Sequence, residues 1–380
     1  MLKLCQKCKD RLELPIDSAD PEECLLCNGI LWKPEEIARK MLRELGDYEF
    51  NTFLIGCRLE GSVKALEDYL FEEYGIGEDK SIKLEFNREV GKALGSLVHK
   101  TYSPQKPDIT IIYNLETGDM QFEVRSLYIY GRYLKRVRDI SQTTWLCRSC
   151  EGKGCEKCDY TGKNYYTSVE ELIVEPTLEM TQGERGVLHG SGREDVDARM
   201  LGNGRPFILE IQEPRKRNLD LKELQSAINE SAGGKVAVRE LEIADSDDVK
   251  AIKEGDYRKT YRAKVEFERE VGEDQLGKAL ESISNRTIHQ RTPSRVKHRR
   301  ADMVRERNAY DIRLLLHRGN VSVIEIDAQS GLYIKELISG DEGRTTPNLS
   351  EVLNNSARVS RLDVIKIWDN NNTVKEITGR

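Results

Sequence analysis

His189-Gly-Ser-Gly-Arg-Glu-Asp-Val-Asp-Ala-Arg-Met-Leu-Gly-Asn-Gly-Arg-Pro206 packs three carboxylates (Glu194, Asp195, Asp197) and three guanidiniums (Arg193, Arg199, Arg205) between the glycine pairs Gly190/Gly192 and Gly202/Gly204. An exposed acidic turn between strands could carry such residues. Yet a solvated loop has little use for so many opposed charges between flexible hinges, whereas a site that sets one carboxylate against an anionic substrate does. The residues at the end of the stretch matter as much. Gly202-Asn-Gly204 runs through Arg-Pro-Phe into the strand-like Phe207–Gln212, so it does not open a helix whose N-terminus could cradle phosphates. That argues against a nucleotide-binding, doubly wound fold.

At 380 residues the chain is too long for one compact core, and two or three domains are the default. A hydrophobic content of 38% and a charged content of 33% read as globular and well hydrated. No apolar run approaches a membrane span, and Met-Leu-Lys-Leu-Cys at the start lacks the layout of a secretory signal. The expectation is a cytoplasmic protein with no membrane partner. Net charge is −6, which argues against a uniformly basic coat and moves attention to local clusters.

The pattern along the chain predicts a helix over Glu35–Leu45 stopping near Gly46, a strand over Thr52–Leu59 and helices over Ala65–Phe71 and Val90–Val98. Strands come next at Asp108–Tyr113 and Met120–Leu127, joined by the turn Glu116-Thr-Gly-Asp119. Beyond Ser141 strands dominate, at Ser168–Val174, Phe207–Gln212, Val236–Ile243, Tyr261–Glu268, Tyr310–His317, Val321–Ala328 and Val364–Trp368. Helical patterns at Leu221–Ile228, Gln275–Ile283 and Leu349–Leu353 interrupt them. The fold class expected is α+β: an N-terminal α/β module and a domain built on a large antiparallel sheet flanked by helices. The segments expected are 1–45 (metal-binding segment and linker helix), 46–135 (α/β module) and 136–380 (main domain).

Eight of the nine cysteines form four Cys-x-x-Cys pairs, which suits metal thiolates in a reducing compartment better than disulfides. Cys5, Cys8, Cys24 and Cys27 have the spacing of a four-cysteine zinc ribbon, closed by its own ligands and therefore structural. Cys147, Cys150, Cys155 and Cys158 leave only four residues between pairs, but Glu151-Gly-Lys-Gly154 can turn sharply because glycine tolerates positive φ. A second zinc or a metal-free thiol cluster both fit. Cys57, in an apolar strand, reads as a core residue.

Gly192-Arg-Glu-Asp195 resembles the aspartate motif of pseudouridine synthases. The longer Gly-Arg-Glu-Asp-Val-Asp, with Leu-Gly-Asn-Gly-Arg-Pro-Phe after it, is similar to the archaeal-type tRNA synthases that act on positions 54 and 55 and carry a THUMP domain. Lys106 to Lys135 resembles the end of that domain, which makes 46–135 a THUMP-like RNA-binding segment and 136–380 the catalytic one. The resemblance implies an isomerase that turns uridine into pseudouridine in the TΨC arm of tRNA without an added cofactor. It implies Asp195 as the catalytic carboxylate, with Asp197 as rival. Tyr261, in Lys259-Thr-Tyr-Arg-Ala-Lys264, takes the place of the tyrosine that stacks on the target base. In Gly331-Leu-Tyr-Ile-Lys-Glu-Leu337, Tyr333 is implied as a second wall and Lys335 stands where relatives have an arginine that pairs with the aspartate. Arg344 competes with Lys335 for that pairing or would meet a phosphate, and Leu362 matches the apolar residue under the aspartate.

Arg286 to Arg307 holds eight Lys/Arg against two acidic residues, a local excess suited to backbone phosphates. In the resembled family it corresponds to a loop that grips the RNA arm. Clusters at Arg132–Arg138 and Arg215–Arg217 could extend the track. The partners expected are therefore tRNA and no nucleotide cofactor, and the chain is expected to be a monomer. The alternative is a non-catalytic, THUMP-type tRNA-binding or chaperone protein.

Overall fold

The structure, a computed structural model, describes residues 2–368, with the side chains of 298 and 299 outside that description. The chain divides into two compact units. One runs to Leu127 and takes in Thr181–Arg185 and Ile211–Asn218; the other holds Tyr128–Met180, Gly186–Glu210 and the chain from Leu219 onward.

In the first unit α1 (Gln6–Leu12), α2 (Pro34–Leu45), α3 (Gly61–Tyr74) and α4 (Ile82–Val98) accompany a sheet of β1 (Thr52–Arg58), β2 (Ile109–Asn114) and β3 (Met120–Val124), with Thr101–Tyr102 beside β1. Helix α2 shows how local chemistry sets its ends. Pro34 fits its first position, Glu35 and Glu36 favour its positive pole, and Gly46 at φ 66° stops it. Its buried Ile37, Ala38, Met41 and Leu45 join a single core with Cys5, Cys8, Cys24, Cys27, Phe53, Phe86 and Ile111. The cysteine segment therefore shares a core with the α/β module instead of standing apart at residue 45. Cys57 is half-buried against the same core.

The second unit is built on a ten-stranded sheet. Its long strands are β4 (Leu127–Lys135), β5 (Arg185–Gly190), β6 (Ala198–Gln212), β7 (Val236–Ala244), β8 (Lys259–Phe267), β9 (Arg286–Arg291), β10 (Val304–Arg318), β11 (Val321–Ala328) and β12 (Ala357–Ile367). They lie in the order β7-β4-β6-β12-β8-β11-β10-β9, with Thr345–Thr346 beyond β9 and β5 beside β6. The β6–β12 pair is parallel, while β7–β4, β8–β12, β8–β11, β10–β11 and β9–β10 are antiparallel. Strand β4 belongs to this sheet, so the boundary expected at residue 135 falls at residue 127 instead. It pairs antiparallel with Val236–Ala244, a partner far along the chain that local pattern does not reveal.

Ser168–Val174, expected as a strand, is instead the start of α5 (Val169–Thr181). Val169, Ile173, Thr177 and Thr181 are buried at four-residue intervals, the spacing of one helical face. Short apolar runs do not distinguish strand from buried helix, and this helix contains Pro176. Helix α6 (Glu273–Ile283), in contrast, has the expected stripe: Leu276, Ala279, Leu280 and Ile283 are buried in one core with Ala198, Ala263 and Leu362 of the sheet. Each such leucine or isoleucine contributes about 1.5–3 kcal/mol by leaving water.

The Gly202-Asn-Gly204 kink is a structural device within β6. Gly202 has φ 58°, and a Cβ built there would overlap the backbone carbonyl of Ile365 in β12. The side chain of Asn203 replaces the interrupted ladder: its Nδ2 donates to Ile367 O at 2.6 Å and its Oδ1 accepts from Ile367 N at 2.8 Å. On the other side Arg132 of β4 donates to the carbonyls of Asn203 (2.6 Å) and Gly204 (3.1 Å). Gly202→Ala is expected to destabilise the protein by at least about 2 kcal/mol, from positive φ and the steric overlap. Gly233→Ala, at a positive φ but with open space around it, is the control. Thermal denaturation of both variants would check this, and an equal loss in the two would refute the role given to the β12 carbonyl.

Candidate active site

Strand alternation assembles the site. Lys259 and Tyr261 are two residues apart on β8, as are Leu362 and Val364 on β12, so each pair points to one face. Register places Leu362 between Ala198 of β6 and Ala263 of β8, and Tyr261 beside Val364. These side chains floor a cavity of about 620 Å³, whose walls include Asp195, Arg205, Arg295, Arg300 and Tyr333.

The turn from Ser191 to Val196 sits on buried charges. Arg205 and Glu194 pair at 2.9 Å with both side chains about 1% exposed. Arg205 Nη1 also donates to Ser191 O at 2.7 Å, and the Tyr133 hydroxyl donates to Glu194 at 2.9 Å. Gln142 donates to the Tyr133 oxygen (2.8 Å) and to Gly192 O (2.9 Å). Burial, reinforced by the Glu194 charge, pushes the Tyr133 phenol well above its ordinary value and keeps it a neutral donor. Lys135, fully buried, spends its three donors on Ile140 O (2.9 Å), Asp195 O (3.2 Å) and Val196 O (3.0 Å). Gln142 and Tyr133 had no role in the sequence expectations, and Lys135 was expected only as part of the Arg132–Arg138 basic cluster.

Of the two rival aspartates, Asp195 enters the cavity, whereas Asp197 is 60% exposed and engages Lys335 at 2.8 Å. The cation nearest Asp195 is Arg295, with Nη1 at 2.9 Å from its carboxylate oxygens. Lys335 Nζ stands at 3.4 Å from Oδ2 and thus bridges both aspartates. Arg344 does not reach Asp195. It donates to Thr292 O and Asp302 at 2.7 Å each, bracing the segment 292–302 that carries Arg295. Arg295 is pinned further by Glu336, 2.7 Å from its Nε, and its guanidinium lies 5.9 Å from the centre of the Tyr333 ring. Burial pushes the Asp195 carboxyl up, but the fields and hydrogen bonds of Arg295 and Lys335 outweigh it and hold the group below its ordinary value. Burial raises the Tyr261 phenol to about 12 and, together with Arg205, brings the Lys259 ammonium down to about 7.

Arg295 was concealed within a strip expected to meet phosphates. The strip is β9, a 3₁₀ turn at Ser294–Arg299 and the start of β10, and several of its charges are internally paired. Arg291 pairs with Asp302 at 2.9 Å, Arg305 donates to Thr292 Oγ1 at 2.9 Å and Arg307 to Ser330 O at 2.9 Å. The two smaller clusters are likewise occupied within the fold. Arg132 is buried, Arg138 meets Asp363 at 2.7 Å, Arg215 meets Asp47 at 2.9 Å and Arg217 meets Asp108 at 3.7 Å.

Both cysteine sets converge: within each, the four Sγ atoms lie within 4.8 Å of one another. Cys5 and Cys27 are 3.5 Å apart, Cys147 and Cys155 3.9 Å, Cys150 and Cys158 3.8 Å. Tetrahedral zinc with sulfur at about 2.3 Å requires edges near 3.8 Å, far beyond a disulfide bond. At the second set backbone amides also donate to sulfur, Gly154 N to Cys150 Sγ and Cys155 N to Cys158 Sγ, each at 3.2 Å. Both sets fit a closed, structural ion.

With this geometry in place, two family models match the chain: Pus10, C-terminal, over residues 128–368, and the archaeal Pus10 THUMP domain over residues 37–114. A protein named tRNA pseudouridine synthase Pus10 from Archaeoglobus fulgidus is 49% identical over 96% of this chain and 100% of its own length. The chain belongs to the Pus10 family of pseudouridine synthases. A Pus10 from Methanopyrus kandleri is 44% identical over 93% of this chain and 82% of its own. Among solved structures, a Cbf5-Nop10-Gar1 complex contains a chain with 17% identity and a TM-score of 0.33, over 50% of this chain and 43% of that one. The Pus10 C-terminal match contains every residue that lines the cavity, and its start at residue 128 coincides with the start of the second compact unit.

Arg205→Met is expected to destabilise the protein by about 3–5 kcal/mol, because it strands Glu194 without a counter-charge. Pairing it with Glu194→Met should recover most of that loss in thermal unfolding. Additive losses would mean the pair is not coupled as its geometry indicates. Elemental analysis of purified protein is expected to find two zinc ions per chain, and Cys8→Ser and Cys150→Ser should each remove one. Retention of both ions in either variant would refute the ligand assignment.

Proposed function

We propose that this chain isomerises uridine to pseudouridine in the TΨC arm of tRNA, at positions 54 and 55, with Asp195 as the catalytic carboxylate and no added cofactor. The observation that carries the reading is an ionised carboxylate, flanked by two cations, entering a cavity walled by Tyr261, Tyr333 and Leu362. The names of the relatives support the substrate class. The reaction breaks the bond from ribose C1′ to uracil N1 and makes one from C1′ to C5. The proton on C5 departs and N1 gains one, so atoms and electrons balance within substrate and solvent. What the protein must supply is a placed carboxylate, a surface for the detached base and exclusion of water.

Each residue has a distinct task in this reading. Arg295 and Lys335 keep Asp195 ionised and fix its direction. Tyr261 stacks on the extruded uracil, an interaction worth about 1–3 kcal/mol for a base on an aromatic face. Its raised phenol pKa makes it a neutral wall and hydrogen-bond donor at physiological pH. Tyr333, whose hydroxyl accepts from Arg300 at 3.1 Å, forms another wall, and Leu362 lies beneath. Arg344 acts indirectly, through the segment that positions Arg295. Ions held by the two cysteine sets would stiffen the chain and take no part in the chemistry.

Purified protein should form pseudouridine in an unmodified tRNA transcript with nothing added but buffer and salt. Asp195→Ala should lose that product while still binding tRNA, and Asp197→Ala should retain it. Isomerisation by the Asp195 variant would remove the catalytic assignment, and product that required a nucleotide or methyl donor would remove the reaction class. The pH dependence follows from the charges. Asp195 must be ionised, its pKa is depressed, and activity should therefore persist down to a pH below the ordinary carboxylate range. Arg295→Met leaves the desolvation and deletes the nearest opposing charge, so the acid limb of kcat/KM should move upward by about 1 unit or more. An unmoved limb in single-turnover profiles would show that Arg295 does not set this carboxylate.

A further inference from the structure

Beside the Asp195 cavity lies a smaller cleft of about 250 Å³ that shares Arg193, Asp195 and Arg295 with it and adds Trp145, Arg148, Tyr165, Asp197 and Lys335, the last two paired with each other. The rings of Trp145 and Tyr165 meet at 5.6 Å with 64° between their planes, an aromatic wedge. The Arg193 guanidinium lies 5.2 Å from the centre of the Trp145 ring. The wedge is held by main-chain bonds: Asn164 N donates to Trp145 O at 2.8 Å, Asn164 Nδ2 to Leu146 O at 3.0 Å, and Leu146 bridges Lys163. The loop between those two strands of chain is the one closed by Cys147, Cys150, Cys155 and Cys158. The second cysteine set therefore fastens a short ribbon whose open end carries two aromatic rings at the mouth of the Asp195 cavity.

We propose that this cleft is a binding site for the nucleobase next to the target uridine, stacked against Trp145 and Tyr165 with its phosphate facing Arg148 and Arg193. The proposal rests on the reading of the main cavity as the uridine site and adds a second subsite to it. Three features favour an RNA base. The cleft is continuous with the cavity, so a nucleotide one step along the strand reaches it when the target is extruded. Its walls combine aromatic faces, which accept any base, with cations that suit a phosphodiester. Arg193 over Trp145 is poised to be exchanged for a base, because guanidinium and nucleobase use the same aromatic face. The dense charge of the Gly-Arg-Glu-Asp motif then divides between subsites: Asp195 faces the target, and Arg193 its neighbour.

The test uses the full chain and tRNA transcripts in which the nucleotide flanking the target carries 2-aminopurine or lacks its base. Binding to wild type should quench the 2-aminopurine fluorescence, Trp145→Phe should keep the quenching and Trp145→Ala should lose it. On ordinary tRNA, kcat/KM for Trp145→Ala should fall about 10- to 100-fold, the range one base stack supports. Wild type should lose a similar factor on the abasic transcript, and Trp145→Ala should be indifferent to the missing base. Persistent quenching in Trp145→Ala, or wild type equally active on abasic and ordinary transcripts, would overturn the subsite. Should Trp145→Ala fail to fold, the wild-type comparison between the two transcripts decides alone. Absence of pseudouridine with wild type on ordinary tRNA would instead count against the main cavity's assignment.

Discussion

Arg205 and Glu194 form the interaction on which the site depends. An ion pair that is almost completely desolvated gains little net stability over an apolar pair of similar volume, so its value lies in position. Arg205 rides on the central strand β6, and Glu194 stands next to Asp195 on the turn. Once paired, they fix the turn on the sheet, and Tyr133, Gln142 and Lys135 bond to Glu194 and to the carbonyls of Gly192 and Val196. A carboxylate on a glycine-flanked turn thereby gains the rigidity of the strands beneath it. The kink at Gly202-Asn-Gly204 serves the same end, since it lets β6 turn between β4 and β12 while Asn203 keeps a ladder contact.

That rigidity creates an electrostatic demand that the turn cannot meet by itself. Its own arginines are committed: Arg205 to Glu194, Arg199 to Asp363 and Arg193 to the ring of Trp145. The counter-charge for Asp195 must come from elsewhere, and two separate elements provide it. Lys335 projects from the short helix Ile334–Ser339, and Arg295 from the turn between β9 and β10. A lysine is a point charge on a flexible stem, while a guanidinium presents fixed donors. The division of labour reflects that difference: Lys335 is shared between Asp195 and Asp197, and Arg295 locks Asp195 to the buried Glu336. Position 335 holds a lysine, and the arginine that pairs with Asp195 is Arg295, from earlier in the chain.

The sequence revealed the strands with clear alternation, the helices with a single apolar stripe, both cysteine sets and the residues gathered by local motifs. Asp195, Tyr261, Tyr333, Lys335 and Leu362 do come together around one site, because strand register places at one spot motifs that are far apart in the chain. Arg295 was not legible. Nothing in its spacing separates it from the other cations in the same strip, and its distinction is the burial of Glu336, a tertiary fact. Arg344 pairs with Asp302 and not with Asp195, because a conspicuous arginine near a motif says nothing about which carboxylate is within reach. Gln142 was not legible because a lone polar residue carries no periodic signal, Lys135 read as one more cation of the Arg132–Arg138 cluster, and Ser168–Val174 was too short for its helical spacing to outweigh its strand-like look.

The overall charge of −6 looks unsuited to a polyanion, and distance resolves the difficulty. At physiological ionic strength the Debye length is about 8 Å, so charges across the molecule contribute little at the mouth of the cavity. What an approaching phosphate meets there is Arg193, Arg295, Arg300, Arg148 and Lys335 around two aspartates. Much of that positive charge is already balanced by Asp195, Asp197 and Glu336, which keeps the site from holding any polyanion indiscriminately. At the rim, Arg193 lies over an aromatic face of the kind a nucleobase also uses. Affinity of this kind rewards an RNA that inserts bases as well as one that presents phosphates. Under the proposed function, a small, partly neutralised basic site suits a strand that extrudes a base into it better than the surface of an intact duplex.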